Sequence, residues 1–282
     1  MPVAEASLKN EDVLKRGYVP NHLWLYWEHR ENKTSLPAHI KLSRATIRHH
    51  FPNTDIVVVT PNNITEYLPD LDPRVWDIQL TNKAQNPIGL QSDFVRALVL
   101  ERHGGFWLDS DCIVLRNLDF IFDYLKTNDF ISMRRTSRKR QHISTGFCGS
   151  QKNGVVASTW SKKLRRILQE KTLLDWTEAG SRVLTPIVNA NLDKVHLFEE
   201  HLIHPVVAEK QYLFADLEIN IDDVVSPDAL MCMLFHKIFE QEIKGVTLRK
   251  ASIKNLYYGD YLISKVFRRA YPERKFKKKF LT

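Results

Sequence analysis

The chain has 282 residues, of which 43% are hydrophobic and 10% aromatic, and its formal net charge is +8 at pH 7. That length suffices for one substantial hydrophobic core, so we expect a single domain. The longest apolar run, at residues 229–235, is too short to cross a bilayer, and the first twenty residues lack the apolar stretch of an export signal.

The three cysteines, Cys112, Cys148 and Cys232, lack the spacing of a zinc site or a disulfide framework. We therefore expect three buried free thiols. Free thiols fit a reducing compartment, and we expect a cytoplasmic protein.

The spacing of apolar residues predicts alternating strands and helices. In chain order, the predicted elements are a strand at residues 22–27, a helix at about 37–50, a strand at 56–59, a helix at 87–103, strands at 106–108, 112–115, 130–133 and 146–149, and helices at 155–168 and 178–192. A strand, a helix and a parallel strand form the opening half of a nucleotide-binding α/β layer. Ligands of such sheets lie beyond the carboxyl ends of the strands.

The polar residues between positions 91 and 111 carry the strongest chemical signal. Asp93 and Arg96 lie one turn apart on the helix predicted at 87–103, whereas Asp109 and Asp111 follow a buried strand. Two carboxylates at such a strand end can point toward one cation, and their hard oxygens suit Mg²⁺ or Mn²⁺ better than zinc. A cation held there can neutralise a diphosphate.

The Asp-x-Asp spacing alone is weak evidence, because Asp70-Leu71-Asp72 repeats it in a proline-flanked loop. The wider pattern is far more specific. It reads Ser92-Asp93-x-x-Arg96, then Leu100, then two glycines, the aromatic Phe106 and the acidic pair Asp109 and Asp111. This pattern resembles glycosyltransferase family 32, the sugar-nucleotide transferases that include the capsular polysaccharide synthesis proteins and, more distantly, the glucosylating toxins.

The resemblance implies an α/β fold of the GT-A type, with a Rossmann-like mixed sheet flanked by helices. It also implies a metal-dependent, retaining transfer of a sugar from a nucleotide donor, expected to be a UDP-sugar, to a glycan acceptor. Asp111 would bind Mn²⁺ or Mg²⁺ directly, while Asp109 would contact the ribose and support the ion. Asp93 would accept hydrogen bonds from the donor sugar, and Arg96 would donate to sugar or phosphate oxygens.

Two further residues match family positions. Trp27, at the end of the first predicted strand, matches an aromatic that stacks on the nucleobase. His236 follows the apolar run at 231–235 and matches a histidine that approaches the metal and the diphosphate. Simpler alternatives stay open: core packing for Trp27, an ordinary helical ion pair for Asp93 and Arg96, and turn capping for the acidic pair. For His236, the Trp-containing ending that often accompanies the family histidine is absent here.

The C-terminal segment is strongly basic. Residues 265–279 contain eight Lys or Arg against one Glu, interleaved with apolar residues, which predicts a basic amphipathic helix followed by a tail. We assign residues 1–255 to a GT-A-type catalytic domain and residues 256–282 to this segment within the same domain. The segment either lies on an anionic membrane or packs its apolar side on the core. A second basic cluster, expected on a surface loop, consists of Arg134, Arg135, Arg138, Lys139 and Arg140.

The favoured hypothesis is an enzyme at the cytoplasmic face of the cell membrane that extends a polyprenyl-linked glycan during capsule or surface-polysaccharide synthesis. It expects no nucleic-acid partner. Two alternatives come from other classes. One is a basic nucleic-acid-binding module, which the positive charge and the aromatic residues near the C-terminus suggest. The other is a metal-dependent phosphohydrolase, which usually needs more acidic ligands than this sequence offers.

Overall fold

The computed structural model describes residues 21–29, 35–83, 86–137, 140–235 and 247–280. Within these ranges, a mixed sheet of six strands forms the centre of the molecule. In chain order its strands are β1 (His22–Tyr26), β2 (Asp55–Val59), β4 (Gly105–Leu108), β6 (Phe130–Ser137), β7 (Arg140–Ser150) and β9 (Val195–Phe198). Two separate pairs of short strands are β3 (Gln79–Leu80) with β8 (Leu173–Leu174), and β5 (Ile113–Val114) with β10 (Met231–Cys232).

The spatial order of the large sheet is β2-β1-β4-β7-β6-β9. β1 is parallel to β2 and β4, β7 runs antiparallel to its neighbours β4 and β6, and β9 is parallel to β6. The carboxyl ends of β1, β2, β4 and β6 therefore lie at one edge of the sheet. Leu23, Trp24 and Leu25 are fully buried, as strands covered on both faces require.

The helices flank this sheet. In chain order they are α1 (Ala38–His50), α2 (Ile64–Tyr67), α3 (Ile88–His103), α4 (Ile121–Thr127), α5 (Val155–Glu170), α6 (Ser181–Asn189), α7 (Glu200–Ile203), α8 (Ile253–Tyr258), α9 (Leu262–Ala270) and α10 (Glu273–Phe280). The predicted α/β fold, with a mixed sheet between helices, is confirmed. Cys112, Cys148 and Cys232 are free and buried, as expected.

The junction between α3 and β4 fixes the position of the polar residues around it. Gly104 and Gly105 have φ values of 71° and 92°, which lie in the left-handed region that favours glycine. A Cβ on Gly104 would lie 2.7 Å from the backbone nitrogen of Lys152, and a Cβ on Gly105 would lie 2.6 Å from the carbonyl oxygen of His22. The glycine pair therefore lets the chain leave the helix and enter the sheet at once.

Several predicted boundaries were wrong. The strands predicted at 130–133 and 146–149 are the inner parts of a longer hairpin, β6 and β7, which extends beyond the carboxyl edge of the sheet. The helix predicted at 178–192 begins only at Ser181, because residues 176–180 form a turn. The basic cluster is not a plain surface loop, since Arg134 and Arg135 belong to β6 and Arg140 begins β7. Arg138 and Lys139 lie outside the described residues.

The C-terminal segment forms two helices rather than one helix and a tail. Pro272 separates α9 from α10, and proline disfavours helical geometry in the residue before it. The apolar side chains of both helices are buried in a cluster with Leu42 of α1 and Ile113 of β5. Phe276 stacks on Tyr257 with ring centroids 3.8 Å apart. Of the two alternatives for the apolar side, the structure has it packed on the core.

The basic side of α10 faces outward. Its exposed cations are Arg274, Lys275, Lys277, Lys278 and Lys279. Within the part of the chain that the structure describes, no helix combines the length and the apolar character needed to cross a membrane.

Candidate functional site

The site lies at the edge of the sheet where β1 and β4 end. β4 runs directly into Asp109-Ser110-Asp111, a turn held from both sides. The Asp109 amide donates to the carbonyl of Gly146 on β7 at 2.9 Å, and the Ser110 hydroxyl donates to the carbonyl of Tyr26 at the end of β1, also at 2.9 Å. The acidic pair is therefore fixed by its neighbours in the sheet.

Arg96 joins the helix to this turn. Its two terminal nitrogens donate to Asp93 Oδ1 and to Asp109 Oδ1, each at 2.7 Å. The guanidinium also lies over the buried Trp107 ring, with its carbon 4.8 Å from the ring centroid, and the indole nitrogen donates to the same Asp109 oxygen at 3.1 Å. Arg96 is 3% exposed and Asp93 is 7% exposed. Asp93 and Arg96 therefore do form the helical ion pair of the simpler alternative, but the pair is buried and not on the surface.

Burial and mutual repulsion change the acid strengths in this network. Burial, with a further contribution from the charge of Asp109, raises the pKa of Asp93 to about 6, although Arg96 opposes the shift. Burial followed by the charge of Asp109 raises the pKa of Asp111 to about 8. For Arg96, burial disfavours the cation, but Asp109 and Asp93 outweigh it and raise the pKa of the guanidinium. These shifts have the signs expected where negative charge exceeds positive charge.

The acidic pair fits a hard divalent cation. Among the described residues Asp111 forms no ion pair, and the nearby charge of Arg96 only partly offsets burial and the repulsion from Asp109. The second oxygen of Asp109 faces Gly146, where a Cβ would collide with it. Two carboxylates alone do not complete a metal shell, and the described residues contain no cluster of three or more His, Cys, Asp or Glu arranged to hold a metal. His236, the third expected ligand, lies outside the described residues.

Two residues that we had not assigned complete the surroundings of Asp93. The Thr145 side chain hydrogen-bonds to it, and a Cβ on Gly180 would lie 2.5 Å from Asp93 Oδ2. Thr145 and Gly146 belong to a Ser-Thr-Gly stretch on β7. Nothing in the local sequence points to Gly180, because its contact comes from the turn before α6.

Arg135 brings a second positive charge to the same edge. It lies near the carboxyl end of β6, and its carbon is 5.6 Å from the centroid of the Phe235 ring. Burial lowers the pKa of Arg135, whereas the charges of Glu200, Asp109 and others oppose that shift. Its Nε is buried without a hydrogen-bond partner. A residue expected on a surface loop thus interacts electrostatically with the acidic site.

Trp27 lies just past the end of β1 and is half-buried, so part of its ring is accessible. Its amide donates to the carbonyl of Val59 at 3.0 Å, which places it beside the end of β2. The Arg44 guanidinium lies 5.5 Å from the ring centroid. Arg44 is 9% exposed, and its Nε and one terminal nitrogen have no hydrogen-bond partner among the described residues. By contrast Trp24 is a fully buried core residue.

A family model described as capsular polysaccharide synthesis protein matches residues 4–176, more than half of the chain. No curated protein matches the sequence significantly.

Several solved glycosyltransferases align with this structure. The apo form of GlyE from Streptococcus pneumoniae TIGR4 aligns over 92% of this chain and 62% of its own, with 12% identity and a TM-score of 0.50. The PaToxG glycosyltransferase aligns over 62% of this chain and 70% of its own, with 15% identity and a TM-score of 0.42. The galactosyltransferase LgtC, solved with donor and acceptor sugar analogs, aligns over 91% and 99%, with 11% identity and a TM-score of 0.45. At such identity the GlyE likeness speaks for the fold alone, and it confirms the expected GT-A-type fold.

Proposed function

This chain belongs to the capsular polysaccharide synthesis protein family, and we propose that it transfers a sugar from a nucleotide donor to a hydroxyl of a glycan acceptor. The observation that carries the proposal is the buried Arg96, which links Asp93 of α3 to Asp109 at the end of β4. A structural ion pair needs no second carboxylate at a strand end. This network reaches from a helix to the edge of the sheet where ligands of open α/β sheets bind.

We assign the diphosphate to the acidic pair. Asp111 binds a divalent cation, Mn²⁺ or Mg²⁺, directly, and Asp109 contacts the ribose and supports the ion; His236 is the proposed third ligand. The bound cation supplies positive charge where negative charge builds on the departing diphosphate. The support is the excess of carboxylates over cations here, since Asp93, Asp109 and Asp111 lie near the Arg96 guanidinium, with Arg135 as a second cation at the same edge.

We assign the transferred sugar to Asp93 and Arg96. Arg96 holds the Asp93 carboxylate in place, and a carboxylate can accept hydrogen bonds from sugar hydroxyls. The Nε of Arg96 is buried and has no hydrogen-bond partner among the described residues, so it is available to donate to a donor oxygen. Both side chains are held in place before any ligand arrives, which orients the reacting carbon.

We assign the nucleobase, expected to be uracil, to the accessible part of the Trp27 ring. An indole face suits a flat heteroaromatic ring. Arg44 lies 5.5 Å from the ring centroid and helps to position it. The family resemblance supports retention of the anomeric configuration, with no protein nucleophile at the reacting carbon.

The test is a screen of nucleotide sugars for Mn²⁺-dependent turnover and for thermal stabilisation. We expect one nucleotide sugar to raise the melting temperature in the presence of Mn²⁺, because a ligand at a hundredfold excess over its Kd stabilises the folded state by about 2.7 kcal/mol. Asp111→Asn should abolish both effects. The matched control is Asp72→Asn, because Asp72 belongs to the other Asp-x-Asp sequence and instead caps the Pro73–Asp77 segment.

The same screen separates the alternatives. A phosphohydrolase would release the nucleotide without any dependence on a glycan acceptor. A nucleic-acid-binding module would bind oligonucleotides in a salt-dependent way and would not respond to Asp111→Asn.

We propose further that the acceptor is polyprenyl-linked and that the protein is peripheral on the inner face of the cell membrane. The support is the outward-facing basic side of α10. Because its apolar side is buried, the contact would be electrostatic and would not involve insertion, at about 1 kcal/mol per basic residue near an anionic leaflet. The shared cluster with α1 and β5 also supports placing residues 256–282 in the same domain as residues 1–255.

Charge reversal tests the membrane contact better than truncation, because truncation would remove Phe276 from the core. Lys277→Glu combined with Lys278→Glu should reduce co-sedimentation with phosphatidylserine vesicles. The matched control is Lys162→Glu with Lys163→Glu, which makes the same charge change at exposed positions of α5. Equal loss in both double variants would contradict a specific role for α10.

A further inference from the structure

Trp176 is a half-exposed indole outside the site described above. It lies in the turn between β8 and α6 and is 51% exposed. The turn is anchored on both sides of it. The Trp160 indole nitrogen donates to the carbonyl of Ala179 at 2.9 Å, and Asp175 accepts from the hydroxyl of Thr81 at 2.7 Å. A large apolar ring is therefore presented to solvent on a segment that is held in place.

Two glycine contacts locate this ring relative to the catalytic network. A Cβ on Gly89 would lie 2.7 Å from the outer edge of the Trp176 ring, and a Cβ on Gly180 would lie 2.5 Å from the Asp93 carboxylate. Gly89 and Asp93 are four residues apart on α3, so they lie on one face, separated by one turn or about 6 Å along the helix. The indole is thus one helical turn from Asp93.

The order of residues along α3 shows on which side of Asp93 the indole lies. Arg96 reaches Asp109 at the acidic pair, Asp93 is one turn before it, and Gly89 with Trp176 is one turn before that. In the proposed function, which this inference assumes, the diphosphate lies at the acidic pair near Arg96, and the donor sugar lies at Asp93. Because the anomeric configuration is retained, the acceptor hydroxyl reaches the reacting carbon on the face that the diphosphate leaves, and the rest of the acceptor extends past the donor sugar toward Trp176.

We propose that Trp176 is a stacking platform for a pyranose ring of the glycan acceptor. One face of a pyranose ring presents C–H groups with slight positive charge, and these pack on the negative face of an indole. An indole fixed before binding loses little conformational freedom when a sugar stacks on it. The exposed aromatic therefore gives affinity for the acceptor without taking part in bond breaking.

The test is saturation-transfer difference NMR with lactose, maltose and N,N′-diacetylchitobiose at millimolar concentration, added to the full chain with Mn²⁺ and UDP. We expect transfer to the ring protons of at least one disaccharide. Trp176→Ala should abolish it. Gly89→Ala should weaken it, because the new methyl group displaces the indole without removing it. Phe120→Ala is the control, since Phe120 is also partly exposed but lies at the amino edge of the sheet. It follows Asp119, which accepts a hydrogen bond from Thr54, just before the amino end of β2.

Kinetics separate this inference from the proposed function. For Trp176→Ala we expect the KM for the acceptor to rise at least about tenfold, because one stacking contact is lost. Thermal stabilisation by the nucleotide sugar should stay unchanged. Absence of disaccharide binding to the parent protein, or equal binding and equal acceptor KM in Trp176→Ala, would overturn the platform while donor use stays intact. If no nucleotide sugar stabilises the parent protein, the proposed function itself fails.

Discussion

Asp93 and Asp109 accept hydrogen bonds from the two ends of one guanidinium, although Asp93 lies on α3 and Asp109 follows β4. The glycine pair at residues 104–105 makes this possible, because it turns the chain from helix to strand without an intervening loop. A short local sequence thus builds a network that spans two elements. Asp93 and Arg96 are buried, and the hydrogen bonds of Arg96 orient both carboxylates before a ligand binds.

Arg96→Lys should lower both activity and stability. A lysine ammonium has no planar fork, so it cannot bond to both carboxylates while lying over the Trp107 ring. We expect the free energy of unfolding in urea to fall by roughly 1–3 kcal/mol and turnover to fall by about 10²-fold or more. Arg102→Lys, which changes the surface pair with Asp70, is the control and should change stability by less than about 1 kcal/mol. Parent-like turnover of Arg96→Lys would contradict the bridging role.

Gly146→Ala should impair the site more than the fold. The added methyl group would collide with Asp109 Oδ2 and would lie 2.7 Å from the Met233 side chain, so the carboxylate must move. Displacement of a positioned group by about 1 Å can reduce turnover about 10²-fold. Turnover and the Mn²⁺ dependence of thermal stabilisation measure the effect, and the melting temperature without ligand checks the fold. Unchanged Mn²⁺ dependence would show that the position of Asp109 is not critical.

His204 should make the protein sensitive to mild acid. It is 2% exposed, neither ring nitrogen has a hydrogen-bond partner in the part of the chain that the structure describes, and Glu200 Oε1 is 3.8 Å from its Nδ1. Burial, followed by the charge of Arg135, lowers the pKa of His204 from 6.5 to about 4, although Glu209 opposes the shift. As pH falls from 6.5 to 4, the unfolded chain binds a proton that the folded chain does not. The free energy of unfolding therefore falls by up to about 3 kcal/mol between pH 6.5 and pH 4.

His204→Phe provides the matched comparison for this pH effect. Phenylalanine has no titrating group and can pack against Phe235 as the histidine ring does. Because the buried nitrogens make no hydrogen bonds, we expect little loss of stability at pH 7.5. Urea unfolding at pH 7.5 and pH 4.5 should show a smaller acid loss for the variant than for the parent protein. The same acid loss in both would rule out His204 as its source.

Phe276→Ala should destabilise the protein strongly, although Phe276 lies near the end of a basic segment. Its ring is fully buried and stacks on Tyr257. Removal of a buried Phe side chain typically lowers stability by about 3–5 kcal/mol. Phe280→Ala, at the half-buried end of the same helix, should lower stability less. Equal and small effects in thermal unfolding would mean that α10 is not part of the core.

Local patterns predicted the parts of the site that neighbouring residues create. Asp93 and Arg96 share a helix face, and the acidic pair follows an apolar strand, so helical period together with the wider motif identified these residues. Gly180 was not identified, and Arg135 was expected only on a surface loop, because their contacts with the site arise from distant segments. Strand β9 was also missed, since Val195, His196 and Leu197 are only partly buried and give a weak apolar signal. Amphipathic spacing near Phe276 predicted an apolar face, but it does not specify whether lipid or protein covers that face.

Anomalous diffraction from crystals containing Mn²⁺ and UDP tests the acidic pair most directly. We expect a single manganese peak bonded to a carboxylate oxygen of Asp111, with the diphosphate on its other side, the base at Trp27, and Arg96 still bridging Asp93 and Asp109. A diphosphate bound elsewhere, or a manganese peak that contacts neither Asp109 nor Asp111, would contradict the assignment.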